Sequence, residues 1–581
     1  MNLSRFSGKL LYINTAPKIP VITDPNQNPF YSLDYLDYLV ESVLDRYSAL
    51  FSAEELSQLT QYQALPQPSR ALYARLTQRK GPYFRLDRLR YKEIIDTEQA
   101  AVQLVATKFA AWVGSIRPDL QLALRTKAEL KSLGVLAAYD LEQAAKPAID
   151  QALLAQHCQL PTLSILQLKC GGLIALCEYL FFGNRHQTLS EFVVTDLGLH
   201  RYENVDLVKS SAFASRSMLN ANRLVDQLRA WAHLLEQESK TLKQNPDETR
   251  KARLISGLQG LKSMVPSAED VLNYALTRGL DKLHLSLGQS FERVGHLTEA
   301  LMCYEQTERA PALERRARIA FKQSRPEEAV GVCRAILKDC PDPKQRAYAT
   351  KQLSKLDLIA RERDSQRYDT QTLNLALTQD LSVEQQVIGH LESTGKIALH
   401  TENHLYNGLF GMLFWDIIFA PVPGAFYHPF QREPADLMEP DFTLRRQSLF
   451  EARFDELESL VVRLSLLTLN WREKQGIANP FVAWKSLDLA TFEFVLRLTP
   501  WSALKAIFKR LLSHFQSLRS GFPDLLVMDT ETYELIEIKG PGDKLQTHQI
   551  AWLNFLADQG IRTSVMTVAQ ESSSTSKELV I

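Results

Sequence analysis

The chain has 581 residues, 45% hydrophobic and 23% charged, which is too long for one core and typical of a soluble, multidomain globular protein. Its 67 basic and 67 acidic residues cancel, so any contact with a polyanion must come from a local basic patch. No apolar run is long enough to span a bilayer, and the N-terminus lacks a signal-peptide pattern. The six cysteines form no C-x-x-C pair, which argues against a zinc module and suits a reducing, cytoplasmic location.

Residues 1–65 are predicted to form a helical N-terminal domain. Apolar and aromatic residues recur at helical spacing in NPFYSLDYLDYLVESVLDRYSALF. The pattern ends at LPQPSR, whose two prolines mark the first boundary.

Basic and aromatic residues alternate over residues 70–93, RALYARLTQRKGPYFRLDRLRYKE, which we name the basic–aromatic segment. Such a segment can hold phosphates and stack a frayed base, and its candidate DNA contacts are Arg79, Lys80, Arg85 and Arg88. The alternative is a helix–turn–helix segment with its aromatic rings in the core and its arginines in solvent. Taken alone, the residues favour this alternative slightly.

The middle of the chain is predicted to be continuous helix. Two stretches, GHLTEALMCYEQ and SRPEEAVGVCRAIL, each place Glu-Ala after a turn and before an amphipathic helix. This pattern is typical of tetratricopeptide-like helical hairpins, although the spacing is shorter than the usual ~34 residues. An ordinary helical bundle is the alternative, and either structure would serve as a scaffold or a binding surface.

The C-terminal part changes character. An apolar helix in LHTENHLYNGLFGMLFWDIIFAPVP ends at Pro421 and Pro423, and more helices follow. The tail then alternates strand-like runs, PDLLVMD, YELIEIK and RTSVMTV, with one helix before the last strand, which predicts a small α/β domain.

The first two strand-like runs carry charges where burial is costly. If they form a hairpin centred between Thr530 and Glu531, Asp524 lies opposite Glu537. Opposed side chains have Cβ atoms ~4.5–5.5 Å apart, where like charges destabilise the pair. A hard cation such as Mg²⁺ or Mn²⁺ between the two carboxylates would remove that cost.

Strand alternation places Lys539 on the same face as Glu537 and turns Ile538 into the core. The Ile538 carbonyl could still bind the cation, and Lys539 could orient a water or neutralise a phosphate. Gln549, on the following helix, would face the same end and is a further candidate DNA contact. The alternative is an exposed hairpin with a chance ion pair.

An Asp followed by Glu-x-Lys on a hairpin resembles the PD-(D/E)xK nuclease site, and the longer pattern resembles the virus-type replication-repair nuclease (VRR-NUC) domain. The matching residues are Gly521, Pro523, Asp524, Glu537, Ile538, Lys539, Gly540, Pro541, Gln549 and Trp552. Three upstream stretches, TENHLYNGLFGMLFWDIIF, LYARLTQRKGPYFRLDRLRYKEI and the SAP-like AELKSLG, resemble the Fanconi-anaemia-associated nuclease family.

The resemblance implies a mostly α, multidomain protein in four parts. These are an N-terminal helical domain (1–65), a SAP-like DNA-binding region (66–215), tetratricopeptide-like repeats (216–375) and a VRR-NUC nuclease domain with the α/β PD-(D/E)xK fold (376–581).

The implied activity is a metal-dependent, structure-selective DNA nuclease. It would cut 5′ flaps and branched DNA, digest 5′ to 3′ and act in interstrand crosslink repair. The resemblance adds Glu402 as a metal ligand beside Asp524, Glu537 and Ile538. It also implies a basic pocket for the 5′ phosphate, for which Arg519 and Lys544 are the candidates. Gln516 and His548 stand where the vertebrate pattern leads us to expect basic residues.

The resemblance to a compact bacterial member implies no ubiquitin-binding module, no membrane partner, a nucleoid-associated cytoplasmic location and a homodimer on DNA as one option. Two other functions stay open at this point. One is a non-catalytic DNA-binding scaffold, which the presence of all the carboxylates and Lys539 disfavours. The other is a junction-resolving nuclease with the same catalytic fold, against which the long helical section argues.

Overall fold

The computed structural model describes residues 28–114, 116–189, 201–266, 274–359 and 366–570. The chain forms two compact units, Met1–Leu199 and His200–Ile581. Helices dominate both units, and the second also contains a five-stranded sheet, which confirms the mostly α, multidomain fold with a C-terminal α/β domain. Among the residues of these five ranges, no helix is long and apolar enough to cross a membrane.

The first unit is a set of short helices around a small sheet. Its strands are β1 (Tyr83–Arg85), β2 (Ala110–Val113) and β3 (Ile165–Leu168), and both β1 and β2 pair antiparallel with β3. Its helices are Tyr31–Tyr47, Ala53–Gln63, Gln67–Thr77, Thr97–Ala106, Pro118–Ala123, Lys127–Ser132, Val135–Ala138, Lys146–Ala155 and Gly171–Phe182.

Local signals explain where several of these helices begin. Ser52 and Thr126 each cap a helix in a capping box with a Glu three residues later, so two backbone N–H groups that lack intrahelical partners are satisfied. The AELKSLG stretch forms the short helix Lys127–Ser132, a turn at Gly134 with φ of 72°, and the helix Val135–Ala138.

The second unit begins with paired helices. They are Arg216–Gln244, Glu248–Ser263, Tyr274–Arg293, Leu297–Tyr304, Ala312–Lys322, Pro326–Asp339 and Pro343–Lys355. Both repeat-like stretches of the sequence are helical, at Leu297–Tyr304 and Pro326–Asp339. Close packing requires a glycine at Gly288, because a Cβ there would lie 2.6 Å from Cε1 of Tyr304.

A mixed sheet closes the second unit. Its strands are β4 (Asp369–Leu375), β5 (Ile397–His400), β6 (Leu525–Met528), β7 (Tyr533–Lys539) and β8 (Thr563–Gln570), in the spatial order β4-β8-β7-β6-β5. Strand β8 runs parallel to both β4 and β7, whereas β6 is antiparallel to β5 and β7. The surrounding helices are Val383–Ser393, Leu405–Leu413, Trp415–Ile418, Asp441–Leu444, Gln447–Glu456, Leu460–Lys474, Leu489–Leu498, Trp501–Ser513, Phe515–Leu518 and Thr547–Asp558.

Apolar residues bury both faces of the sheet at its central strands β6 and β7. Val387 and Leu391 cover one face over Ile536 and Ile538, and a large aromatic core that includes Phe410 covers the other. The apolar helix expected before Pro421 is present as Leu405–Leu413 and Trp415–Ile418. The four domain ranges stay a prediction; in the structure, strand β4 and the segment 201–213 also pack with the nuclease part.

Candidate active site

The β6–β7 hairpin has the register expected from the sequence. Leu525 pairs with Ile536 and Met528 with Tyr533, so the hairpin is centred between Thr530 and Glu531, and Asp524 falls opposite Glu537 one step beyond the ladder. The turn is tight because the Asp529 carboxylate accepts hydrogen bonds from the backbone N–H groups of Glu531 and Thr532, at 2.9 and 2.8 Å.

Asp524 accepts hydrogen bonds from the segments on both sides of it, the residues after β5 and strand β7. Its backbone carbonyl accepts hydrogen bonds from the N–H groups of Thr401 and Glu402, at 2.8 and 2.9 Å, immediately after β5. Its Oδ2 accepts a 2.8 Å hydrogen bond from the N–H of Ile538 in β7. The carboxylate is therefore fixed at the edge of the sheet beside Glu537.

Glu537 is fully buried, and only one of its two carboxylate oxygens accepts hydrogen bonds from the described residues. Its Oε1 accepts hydrogen bonds from Nζ of Lys539 at 2.6 Å and from Nε2 of Gln549 at 2.5 Å. Its Oε2 is buried without a hydrogen-bond partner among the described residues. A buried carboxylate oxygen without a partner is costly, so this atom marks a place where a cation or a proton is needed.

The electrostatics agree with this geometry. Burial, followed by the charge of Asp524, raises the pKa of Glu537 to about 7, although Lys539 lowers it. Burial also raises the pKa of Asp524, while the Ile538 N–H and Lys539 lower it. Glu402 raises the pKa of both groups by its charge.

Gln549 is itself held in place by the start of its helix. Its Oε1 accepts a 2.9 Å hydrogen bond from the N–H of Gln546, and its Nε2 reaches Glu537. Gly521, with φ of 94°, lets this helix approach the loop before Asp524, since a Cβ there would lie 2.4 Å from Cδ2 of His548. The glycine, the Asp and the Gln therefore belong to one packed unit.

Comparisons with known proteins identify the same elements. The VRR-NUC domain model matches residues 463–570, and the FAN1 HTH domain model matches residues 30–111. A Fanconi-associated nuclease 1 homolog of Pseudomonas aeruginosa is 31% identical over 577 residues, which are 95% of this chain and 98% of the relative. The chain belongs to the Fanconi-associated nuclease family.

Other members are similar over most of the chain. The Arabidopsis thaliana homolog is 25% identical over 94% of this chain and 68% of its own length. The chain is also similar to paFAN1 in a crystal structure bound to 2-nucleotide 5′-flap DNA with a gap. The sequence identity is 29% and the TM-score is 0.76, and the match covers 94% of this chain and 99% of that one. The protein is thus a DNA nuclease, and a structure-selective one.

The donor chemistry of this nuclease fits a hard divalent cation at Asp524 and Glu537. Two opposed carboxylates are present, and Oε2 of Glu537 lacks a partner. Within the described ranges, however, no three His, Cys, Asp or Glu side chains are grouped closely enough to bind one ion together. Glu402 is adjacent through its backbone, but its carboxylate accepts a 3.0 Å hydrogen bond from Asn403.

Asn403 is a residue that sequence reasoning missed in this nuclease. Its Oδ1 accepts hydrogen bonds from the N–H groups of Gly521 and Phe522, at 3.0 and 3.4 Å, and its Nδ2 donates to Glu402. It therefore links Glu402 to the loop that carries Asp524. An Asn just before an apolar helix suggests an N-cap, but here the side chain binds a different loop.

The remaining candidates of the nuclease lie on its surface. Arg519 and Lys544 are both exposed, and the Arg519 carbonyl accepts a 2.8 Å hydrogen bond from Nδ2 of Asn407, which anchors it beside the Glu402 segment. Gln516 and His548, which replace expected cations, are also exposed.

The basic–aromatic segment divides into two kinds of residue. Arg79, Lys80 and Arg88 are exposed, whereas the Arg85 side chain is only 9% exposed and pairs with Asp87 and Glu129 at 2.6 and 2.7 Å. The segment forms the end of the helix Gln67–Thr77, a turn, strand β1 and the short 3-10 helix Leu86–Arg88, and it lies within the residues that match the FAN1 HTH domain model.

Proposed function

We propose that this nuclease is a metal-dependent 5′-flap endonuclease and 5′-to-3′ exonuclease that acts in interstrand crosslink repair. The observation that carries the proposal is the buried Asp524–Glu537 pair, with one carboxylate oxygen left without a partner beside Lys539. The similarity over almost the whole chain to a nuclease crystallised on 5′-flap DNA supports the choice of substrate.

Each residue of the site has a defined role in the proposal. Asp524 and Glu537 would hold Mg²⁺ or Mn²⁺, with the Ile538 carbonyl as a further ligand. Glu402, whose carboxylate the described structure does not group with the other two, would have to leave its hydrogen bond with Asn403 to join them. A bound divalent cation relieves charge on the scissile phosphate and lowers the pKa of a bound water. Lys539, whose ammonium Nζ lies 2.6 Å from Oε1 of Glu537, would orient the attacking water or neutralise charge on the phosphate. Gln549 keeps the Glu537 carboxylate in one orientation, which favours reaction by preorganisation.

The 5′ end of the DNA is the proposed source of polarity. Arg519 is anchored by its backbone beside the segment that carries Glu402, and Lys544 lies in the loop after β7. Both guanidinium and ammonium groups bind phosphate by charge-assisted hydrogen bonds. Binding of the terminal phosphate near the catalytic carboxylates would place the cut at a set distance from the 5′ end.

The experiment is a cleavage assay on end-labelled 5′-flap, 3′-flap, four-way-junction and linear duplex DNA, with Mg²⁺, with Mn²⁺ and with EDTA. We expect cation-dependent cleavage of the 5′ flap well above the 3′ flap and the junction. Equal rates on the two flaps would contradict the proposal that the enzyme binds the 5′ end. Faster cleavage of the junction than of the 5′ flap would favour a junction-resolving nuclease. Removal of the 5′ phosphate should slow cleavage if Arg519 and Lys544 bind it, and Arg519→Gln with Lys544→Gln should remove that difference.

A homodimer on DNA and a nucleoid location stay predictions. Sedimentation of the protein with and without a 5′-flap duplex tests the dimer, because one or two chains per DNA give well-separated masses.

A further inference from the structure

The last three helices of the repeat region carry a charge that the whole chain does not. Residues 312–355 contain eleven Lys or Arg and five Asp or Glu, a net charge of +6 in a chain of net charge zero. A local excess of this size creates a positive potential at the surface, even though the total charge is balanced.

Part of this charge lines a groove between the helices Ala312–Lys322 and Pro343–Lys355. The groove has a volume of about 440 Å³, and its lining includes Arg318, Lys344, Lys351 and Lys355. On the second helix, Lys344, Tyr348, Lys351 and Lys355 follow one another at spacings of four, three and four residues, so they share one helical face. No carboxylate of the described residues pairs with any of these three lysines, which are all exposed.

Helix electrostatics do not explain this row of lysines. A cation in the last turn of a helix is favoured by the macrodipole, which accounts for Lys355. Lys344, however, directly follows Pro343 in the first turn, where the macrodipole disfavours a cation. The row therefore includes a cation at a position that helix stability alone would select against.

The two walls of the groove are held together. Oε1 of the buried Gln345 accepts a 3.0 Å hydrogen bond from the N–H of Glu314, which joins the two helices. The Arg318 guanidinium lies 4.4 Å from the ring centroid of Tyr348, and Glu314 pairs with Arg318 at 2.6 Å. These contacts fix the two helices that carry the cations relative to each other, which lowers the entropy cost of binding a ligand.

We propose that this groove, which lies outside the catalytic centre, binds the phosphate backbone of duplex DNA. Lys344 and Lys355 are eleven residues apart, about 16 Å along a helix axis, which equals the axial rise of roughly five base pairs of duplex DNA. An acidic protein is less suited, because protein interfaces rely on apolar and aromatic anchors. The one aromatic ring in the lining, Tyr348, is already covered by Arg318.

The inference rests on the protein acting on DNA, and it is independent of flap preference and of the cation. The test uses the full chain with Lys344→Gln, Lys351→Gln and Lys355→Gln combined. Glutamine keeps the helix propensity and removes only charge. Affinity for a fluorescent 5′-flap duplex is measured by anisotropy in EDTA at several KCl concentrations, so that cleavage and cation binding do not enter.

A matched control removes the same charge outside the groove, from the two preceding helices, with Lys322→Gln, Arg334→Gln and Lys338→Gln, all exposed. We expect the groove variant to bind more weakly than the control and its salt slope to be shallower by about 2 to 3, since each lost phosphate contact changes the slope by ~0.9. Lys→Arg at the three groove positions should restore both values. Equal affinity and slope in the groove variant and the control, with unchanged circular dichroism, would overturn the proposal and leave an acidic protein as the ligand to test.

Discussion

Two carboxylates that face each other across a hairpin are the chemical centre of this nuclease. Lys539 and Gln549 donate hydrogen bonds to Oε1 of Glu537, and the Ile538 N–H donates one to Asp524. These donors do not offset the repulsion that arises when both carboxylates are charged. Burial and the charge of Asp524 raise the pKa of Glu537 to about 7, so in the absence of a cation a proton on Glu537 would relieve the repulsion between the two carboxylates. A divalent cation would then compete with that proton.

The first prediction is that Asp524→Asn and Glu537→Gln abolish cleavage and leave DNA affinity in EDTA nearly unchanged. In EDTA each variant should melt at the parental temperature or above it, because one of two repelling carboxylates becomes neutral. Mn²⁺ should raise the melting temperature of the parent but not of the variants, since only a state that binds the ion is stabilised by it.

The control is Glu531→Gln, in the exposed turn of the same hairpin, which should keep both cleavage and the Mn²⁺ shift. Lys539→Met should lose turnover and keep at least part of the shift. A Glu537→Gln protein with the full parental shift would show that the ion binds elsewhere.

The second prediction concerns Asn403 as a positioning residue. Asn403→Ala leaves the N–H groups of Gly521 and Phe522 without their acceptor, which should cost about 1–3 kcal/mol of stability. It also frees the Glu402 carboxylate, so kcat should fall more than DNA affinity. Asn403→Asp keeps the acceptor but loses the donor to Glu402, so it should recover stability without recovering kcat.

Ser520→Ala, an exposed change directly before Gly521, is the control and should match the parent in both stability and kcat. If Asn403→Ala lowered stability and kcat, and Asn403→Asp restored both, the residue would have a structural role only.

At the scale of elements, the hairpin could be predicted from sequence because strand alternation and turn position are local properties. The Asp524–Glu537 pairing and the burial of Ile538 follow from them. The Asn403 contacts could not be predicted in this way, because they join residues 118 and 119 positions apart that only the folded sheet brings together. Strand β4 was missed for a related reason: DTQTLNL is mostly exposed, so it lacks the apolar alternation of an internal strand.

The basic–aromatic segment shows how one sequence pattern can serve two purposes. Tyr73 and Phe84 are core residues, as the alternative interpretation expected. That interpretation placed the arginines in solvent, however, and Arg85 is instead mostly buried and held by two carboxylates. The backbone N–H of Thr126, followed by Arg88 and Arg85, lowers the pKa of Glu129 to about 2. Arg79 and Lys80 remain exposed next to the turn.

The third prediction separates the structural role of the basic–aromatic segment from its role in DNA binding. Arg79→Gln with Lys80→Gln should weaken DNA binding on any sequence and make its salt slope shallower by about 2, with an unchanged melting temperature. Arg85→Gln should lower the melting temperature, because the mostly buried guanidinium is lost and the carboxylates of Asp87 and Glu129 are left without this cationic partner. Anisotropy titrations measure DNA binding and thermal melts measure stability on the same samples, so together they separate the DNA-binding role from the structural role. Parental binding by the double variant would leave the segment a purely structural role.

The fourth prediction concerns pH and the helix Gly171–Phe182. Burial raises the pKa of Glu178 from 4.5 to about 7, and a hydrogen bond from the Leu189 backbone partly opposes the shift. Because the folded-state pKa lies above the unfolded value, this group favours folding below pH 4.5, and that contribution is lost as the pH rises through about 7. Glu178→Gln should therefore melt at a higher temperature than the parent at pH 8.

The difference between Glu178→Gln and the parent should shrink as the pH falls from 7 towards 4.5. Glu142→Gln, an exposed change in the same unit, should follow the parental curve at every pH. Parallel curves for the parent and Glu178→Gln would show that Glu178 titrates in the same way folded and unfolded.

At the scale of the whole chain, sequence order and spatial grouping differ. Segment 201–213 precedes the repeats, yet it packs on the nuclease core: Trp415 Nε1 donates a 2.7 Å hydrogen bond to Glu203, and the Gly424 N–H donates to the Ser210 carbonyl at 2.8 Å. The repeats also contact this region, since Glu439 pairs with both Lys282 and Arg309. A division into consecutive ranges does not express these contacts, because composition shifts mark boundaries along the chain and not neighbours in space.

The last prediction tests whether segment 201–213 is part of the nuclease fold. Ser210 is fully buried; its Oγ donates to the Val422 carbonyl at 3.0 Å and accepts from the Phe426 N–H at 2.7 Å. Ser210→Ala leaves both backbone groups without this partner, which should cost about 1–3 kcal/mol.

The loss should appear in urea unfolding followed by tryptophan fluorescence, because five of the seven tryptophans lie after residue 400. Ser211→Ala removes only a long 3.4 Å hydrogen bond to the Leu207 carbonyl, so its midpoint should stay close to the parental one. If Ser210→Ala unfolds at the parental urea concentration, the segment is a linker that rests on the nuclease core without stabilising it.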